Sequence, residues 1–459
     1  MERRFFLKTA TAFSLGFMGL GKLTAGGAVL SSKSGIITEP YGILLADPEG
    51  VMDLPAGFSY KIISRAGDVM DDGLFVPHRP DGMATFPGQN GRTILIRNHE
   101  VNSDADPSES AFGKNLEKLD QFDQNLMYDA GDQKRFGKGG TTTIVFNTQT
   151  QRLEKQFLSL SGTIRNCAGG PTPWNSWLTC EETIEVADGE LQKDHGFIFE
   201  VPADAEQPVD PVPLPDMGRF NHEAIAVDPQ SGVIYLTEDR HDGLLYRFIP
   251  NKPGILSEGG RLQALVIPNK PGLDTRNWEE QLVHIAQELK ATWIDLDNVL
   301  APEDDLRYRG FKAGAARFAR GEGMWYGENA VYFACTNGGK AKKGQIWKYI
   351  PSPAEGTREE GRNPGRLVLF VEPNDGNVID NADNLTVAPW GDLIVCEDGS
   401  GDQYLVGITP EGQIYKFGRN ALNESELTGA TFSADGTTLF VNIQHAGLTL
   451  AITGPWKQQ

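Results

Sequence analysis

Basic residues are scarce in this chain. It carries 42 Lys and Arg against 62 Asp and Glu, a formal charge of −20 over 459 residues. Nucleic-acid binding needs clustered cations to neutralise phosphates, so nucleic acid is excluded as a partner. Long apolar runs are also scarce. A hydrophobic share of 39% and a mean hydropathy of −0.35 exclude a multi-span membrane protein. The four cysteines, Cys167, Cys180, Cys335 and Cys396, include no Cys-x-x-Cys pair of the kind that holds zinc. The chain has no Gly-x-Ser-x-Gly elbow, no Rossmann glycine fingerprint and no P-loop. Core-forming residues are not scarce: 8 Trp and 23 Phe exclude a disordered chain. The 53 Gly and 27 Pro point to many turns between short strands.

The N-terminus reads as an address. Glu2 to Lys8 contains the twin arginines Arg3 and Arg4, an uncharged stretch follows from Thr9 to Gly21, and small residues lie around Ala25 to Ala28. Residues 1–28 are therefore expected to be a twin-arginine signal peptide that engages the export machinery, with residues 29–459 forming one domain. The stretch is too short and too rich in Gly and Thr for a stable membrane anchor, which needs roughly 20 apolar residues. The expected location is the periplasm or the medium, and a monomer is expected.

One pattern recurs six times. A turn rich in Pro, Gly, Asp or Asn leads into a short apolar strand that ends in polar residues. The strands are Thr93–Glu100, Trp177–Glu182, Val233–Asp239, Ala330–Asn337, Asp392–Asp398 and Thr437–Gln444. Each follows another strand with a polar start: His78–Met83, Asn166–Gly170, Asn221–Ala224, Arg320–Met324, Asp380–Leu385 and Leu427–Ala430. The shorter separations match the roughly 40–50 residues of a propeller blade. The predicted fold is all-β, a six-bladed β-propeller with a few helical or loop insertions at about 101–137 and 270–312. A tandem of small sandwiches would need linkers, and none interrupts the series. Leu282, Ile285 and Leu289 predict an amphipathic helix over residues 278–290.

In an antiparallel hairpin the start of the first strand lies beside the end of the second. Both polar clusters of each unit therefore face one mouth of the central channel. They bring together Glu100, Glu181, Glu182, Glu223, Glu238, Asp239, Glu322, Asp380, Asp383, Glu397 and Asp398. Carboxylates so crowded repel one another unless cations neutralise them, and oxygen donors favour hard cations such as Ca²⁺. Side chains alternate along a strand, so only one acid of each adjacent pair need face the channel.

Cys180, Cys335 and Cys396 stand at similar places in different blades and read as buried packing residues, too far apart for disulfides. Cys167 differs, because it begins a strand at the mouth beside Gly169 and Gly170. It reads either as a buried thiol or as a soft ligand that selects a transition metal such as iron. Arg320, two residues from Glu322, reads either as a salt-bridge partner or as a clamp for an oxyanion. His99 and His222 also lie at mouth positions.

With these motifs in place, the chain resembles the PhoX-type alkaline phosphatase family from Leu54–Phe58 to Phe440–His445. Asn166–Gly170 with Trp177–Glu182, Gly218–Glu223, Arg320–Gly323 and Asp380–Leu385 carry the resemblance. It implies a propeller phosphomonoesterase with an iron (Fe³⁺) and calcium (Ca²⁺) cluster at one end of the channel. Carried onto this sequence, the cysteine ligand of iron is Cys167. The acidic ligands are Glu182, Glu223, Glu322 and the loop containing Asp380, Asp383 and Asn384, with Glu100 beside them. The arginine that contacts phosphate is Arg320. Ala382 departs from the family pattern, where Pro is commoner. The expectation is an exported, metal-dependent phosphatase acting on phosphate monoesters. The rival readings are a calcium-dependent hydrolase of another type, such as a lactonase, and a non-catalytic calcium-stabilised binding propeller.

Overall fold

Turn residues that cannot continue a strand divide the chain into hairpins, and the hairpins assemble into a ring. The computed structural model describes residues 38–132 and 135–457; the predicted signal peptide lies outside them. The first blade is Pro80–Pro87, Arg92–His99, Gly139–Asn147 and Arg152–Thr163. Blade 2 has three strands, Asn166–Pro171, Ser176–Glu181 and Ile198–Pro202. Blade 3 begins at His222–Val227 and Ile234–Glu238, and blade 4 at Gly321–Gly327 and Ala330–Cys335. Blade 5 begins at Ala382–Val387 and Leu393–Glu397, and blade 6 at Leu427–Phe432 and Thr438–Ile443. The fold is thus the six-bladed, all-β propeller expected. Among the described residues its α-helix is Leu306–Lys312, and no helix is long and apolar enough to cross a membrane.

The two ends of the chain close the ring. Ser59–Arg65 pairs antiparallel with Leu448–Thr453 and becomes the outer strand of blade 6. Met52–Pro55 joins the outer edge of blade 5 through Met52 and Asp53. Each N-terminal strand thereby covers an edge that would otherwise present unpaired backbone groups.

The predicted helix over 278–290 is a correction. Those residues form a loop that ends in the strand Glu288–Lys290, which pairs with Arg366–Val371 at the edge of blade 4. Of the pattern's residues Leu289 is buried and Ile285 half-buried, but Leu282 is exposed and Val283 is buried in its place, as an extended segment on a sheet edge allows. Asn277 shapes the loop, accepting from the amides of Leu282 (3.0 Å) and Val283 (3.1 Å). The excursion 101–137 holds short 3₁₀ turns, including Pro107–Glu109 and Leu119–Gln121. Phe112, Leu119, Met127 and Phe136 pack it against Met70, Leu74, Val76 and Leu158 in one apolar cluster.

The innermost strand of every blade carries an irregularity at the same place. The register shifts between Pro80 and Met83, Asn166 and Gly169, His222 and Ile225, Gly321 and Met324, Ala382 and Leu385, and Thr428 and Thr431. A bulge places two residues opposite one and re-aims a side chain. Here five bulges begin with Asp81, Cys167, Glu223, Glu322 and Asp383. The preceding blade catches several bulge carbonyls. Asn442 donates to Asp81 O (2.7 Å), Asn98 to Cys167 O (3.2 Å) and Ala168 O (2.7 Å), and Thr237 to Glu322 O (2.7 Å).

Small residues follow these donors and let the blades approach at the axis. Gly82, Ala168, Ala224 and Gly323 line a cavity of only about 20 Å³. A Cβ on Gly323 would stand 2.6 Å from both Asn384 Cα and Asp383 O. Gly323→Ala is therefore expected to force blades 4 and 5 apart and cost about 1–3 kcal/mol, seen as a lower thermal midpoint. An unchanged midpoint would show that the axis has room.

Candidate active site at the channel mouth

Each blade presents three positions to the mouth: a leading residue before the innermost strand, the bulge residue two places on (three in blade 6), and a trailing residue after the second strand. A backbone hydrogen bond ties the trailing amide to the leading carbonyl in all six blades. The pairs are Glu100 to Arg79, Glu182 to Arg165, Asp239 to Asn221, Thr336 to Arg320, Asp398 to Asn381 and Gln444 to Glu426, at 2.9–3.3 Å. Arg79, Arg165, Arg320 and Asn381 all hold positive φ, between 48° and 56°. That conformation turns the chain sharply into the inner strand and is costly for a residue with a Cβ.

The paired acids divide as alternation requires. Glu181 turns away from the mouth, accepting from the amides of Ile164, Gly196 and Phe197 and contacting His195 Nδ1 at 2.6 Å. Glu238 accepts from Tyr246 Oη (2.7 Å), and Glu397 meets Lys416 (2.9 Å). The second member of each pair, Glu182, Asp239 and Asp398, is left to the mouth.

Two groups of donors converge there. Cys167, Glu182 and Glu223 bring ligand atoms within 4.8 Å of one another, and so do Glu223, Glu322 and Asp383. Burial pushes the carboxyls of Glu182, Glu223, Glu322 and Asp383 well above the usual range. Asp239 adds to this at Glu182 and Glu322, Glu322 at Glu223, and Glu426 at Asp383. Burial, then Glu223 and Glu182, also raise the Cys167 thiol. Buried anions so arranged hold protons unless a cation replaces them.

Two guanidiniums cross this ring. Arg320 Nε and Nη2 pair with the Asp239 carboxylate at 2.7 and 2.8 Å, and Nη2 also meets Glu322 at 2.8 Å. Glu322 first, and the Asp239 hydrogen bonds, raise its pKa. Arg165, at the matching place in blade 2, meets Glu100 at 3.0 Å and Glu182 at 2.6 Å. The salt bridge read as one alternative for Arg320 is therefore present, and it leaves Nη1 without a partner among the described residues.

Asn384 adjoins the second group, donating through Nδ2 to Asp383 Oδ1 at 3.2 Å, and the remaining sequence candidates among the acids and histidines lie outside both groups. Glu100 is engaged by Arg165 and by Gln444 (2.9 Å). Asn384 Oδ1 accepts from the Gly429 amide at 2.6 Å. Asp380 pairs with Lys343 at 2.6 Å. His99 and His222 are buried structural groups: His99 contacts His78 O and Thr142 Oγ1, both at 2.9 Å, and burial lowers the pKa of His222 to about 3. All four cysteines are free and buried. Sequence reasoning missed Asp81, a bulge residue, and Glu426, a leading residue. Their offsets from Arg79 and Gln444 are the signal that could have found them.

A family model described as alkaline phosphatase PhoX matches residues 39–447. The chain belongs to the PhoX alkaline phosphatase family. Among solved structures, Pseudomonas fluorescens PhoX in complex with vanadate, a transition state analogue, is 18% identical with a TM-score of 0.63, covering 92% of this chain and 98% of that one. A gluconolactonase of Xanthomonas campestris is 12% identical with a TM-score of 0.38, covering 91% of this chain and 99% of that one. No curated protein matches. The PhoX match spans all six blades, so every residue of the two donor groups lies within it.

Behind the mouth, His195 is clasped between Glu181 and Asp129 (3.3 Å). Burial lowers its pKa, but Glu181 and Asp129 outweigh burial and raise it from 6.5 to about 9. A raised histidine contributes stability that is full below about pH 6.5 and lost as pH rises through about 9. The stability difference between wild type and His195→Asn should therefore be largest below pH 6.5, about 3 kcal/mol, and shrink toward pH 9.5. Denaturant titrations across that range would expose a pH-independent difference if the clasp is neutral.

Proposed function

We propose that this protein is an exported, metal-dependent phosphatase that hydrolyses phosphate monoesters at the channel mouth. The observation that carries the reading is the sharing of Glu223 between two donor groups, with a guanidinium fixed above Glu322. The donors fit two kinds of cation. Cys167, Glu182 and Glu223 combine a thiolate with carboxylates, which suits iron. Glu223, Glu322 and Asp383 offer oxygen alone, which suits calcium. Bound there, the cations would neutralise the phosphate and stabilise charge on its equatorial oxygens.

Arg320 does the rest from the protein side. Asp239 and Glu322 hold its Nε and Nη2, so the guanidinium plane is fixed before substrate arrives. The two N–H groups of Nη1 remain to grip a phosphoryl oxygen. The buried acids behind it exclude water from that face of the substrate. Residues 1–28 carry the export reading, because the twin-arginine route delivers folded, metal-loaded enzymes.

The test is hydrolysis of p-nitrophenyl phosphate at alkaline pH by purified protein, with and without a calcium chelator, and with vanadate. Turnover that both agents suppress supports the reading. Metal-replete protein that turns over no phosphate ester overturns it in favour of a lactonase-like or purely binding propeller.

A further inference from the structure

Three of the six leading residues are arginines: Arg79, Arg165 and Arg320. They do not play one part. Arg79 turns to Glu109 of the excursion 101–137, at 2.9 Å. Arg165 and Arg320 instead each hold a carboxylate of one donor group. Arg320 Nη2 meets Glu322 of the all-oxygen group at 2.8 Å, and Arg165 Nη2 meets Glu182 of the cysteine-containing group at 2.6 Å. Each is steadied by an acid from outside the groups. Asp239 holds Arg320, and Glu100 holds Arg165 through Nη2 at 3.0 Å and Nε at 3.3 Å. In both arginines Nη1 is left without a hydrogen-bond partner among the described residues.

The two guanidiniums flank one place. Blades 2 and 4 supply them, and blade 3 between supplies Glu223, whose ligand atom lies within 4.8 Å of those of Glu182 and of Glu322. A second link joins the same two sides: Asp239, gripped by Arg320, acts on the charge of Glu182, gripped by Arg165. Exposure falls from the arginines to the acids they hold. The side chains of Arg165 and Arg320 are 34% and 30% exposed, and those of Glu182 and Glu322 are 9% and 6% exposed. An anion entering the mouth therefore meets both guanidiniums before it meets the acids.

We propose that Arg165 is a second substrate-gripping arginine, placed across Glu223 from Arg320, and that the pair selects phosphate monoesters over diesters. This deepens the phosphatase reading and rests on it. Glu100 and Glu182 fix the Arg165 guanidinium in advance, so little freedom is lost when Nη1 takes a phosphoryl oxygen. At alkaline pH a monoester presents three non-bridging oxygens that share two charges. A diester presents two that share one. With one oxygen on each Nη1, a monoester keeps a third for the donor groups below, and a diester keeps none.

The experiment compares metal-loaded wild type, Arg165→Ala and Arg165→Lys. It reads inorganic phosphate affinity by calorimetry, iron and calcium content, and kcat/KM for p-nitrophenyl phosphate and for bis(p-nitrophenyl) phosphate. Arg165→Ala should keep both metals and bind phosphate about tenfold more weakly, and its preference for the monoester should fall about tenfold. Arg165→Lys keeps the charge beside Glu100 and Glu182 but loses the fork, so it should recover little of either. Wild-type phosphate affinity or an unchanged preference in metal-replete Arg165→Ala overturns the second grip. So does full recovery by lysine, or a weakened affinity that metal reloading restores, since charge balance alone explains both. Each of these results leaves the phosphatase reading standing. Wild type that binds no phosphate and turns over no ester overturns that reading, and the second grip with it.

Discussion

Glu223→Gln should strip metal from both donor groups together and lower turnover of p-nitrophenyl phosphate by about a thousandfold or more. The reason is geometric: Glu223 is the only residue common to the cysteine-containing group and the all-oxygen group among the described residues. An amide keeps the size and one oxygen but removes the charge that balances a cation. Loss at other positions should be partial and selective. Cys167→Ala removes the soft donor from one group and leaves Glu223, Glu322 and Asp383 in place, so iron should fall while calcium persists. Elemental analysis alongside kinetics checks this. If Glu223→Gln retained both metals in wild-type amounts, the shared-ligand reading would be wrong.

Arg320→Ala should lower kcat by about a hundredfold to a thousandfold with its metal content unchanged. The side chain neutralises charge at the mouth, so its removal leaves Asp239 and Glu322 facing each other without a cation between them. Arg320→Lys should recover little, because one ammonium cannot meet Asp239 through two bonds and still reach substrate. Asp239→Asn acts indirectly, by loosening the guanidinium, and should lower kcat about tenfold. Steady-state kinetics on the three variants separates these effects. An Arg320→Ala enzyme with wild-type kcat would make the arginine a structural ion-pair partner only.

The hairpin pairs and the convergence of their polar ends were legible because turn chemistry and short apolar runs repeat along the chain. Alternation implied that one acid of each pair faces the mouth; the structure shows which, turning Glu181 and Glu397 away and leaving Glu182 and Asp398 there. The bulges were not legible. Nothing in Pro80-Asp81-Gly82 announces that a register shift aims Asp81 at the axis, and that segment has no cysteine or acid pair to draw the eye. Glu426 was missed because blade 6 carries one more paired residue, Leu427 with Ile443 and Thr428 with Asn442, before its shift. The segment 278–290 was misread because Leu282, Ile285 and Leu289 satisfy a helical period while Asn277 and the open edge of blade 4 impose another conformation.

Ring closure by Ser59–Arg65 fixes an order of events during folding. The pairing of Ser59 with Thr453 joins residues almost a whole chain apart, the kind of contact that forms late and slows folding. A strand made near the start of the propeller must wait for the last one. Both donor groups, by contrast, are complete once blades 2 to 5 exist, from Cys167 to Asp383. The cation-binding sector can therefore assemble in an open arc, and cations bound there would staple four blades together before the ends meet.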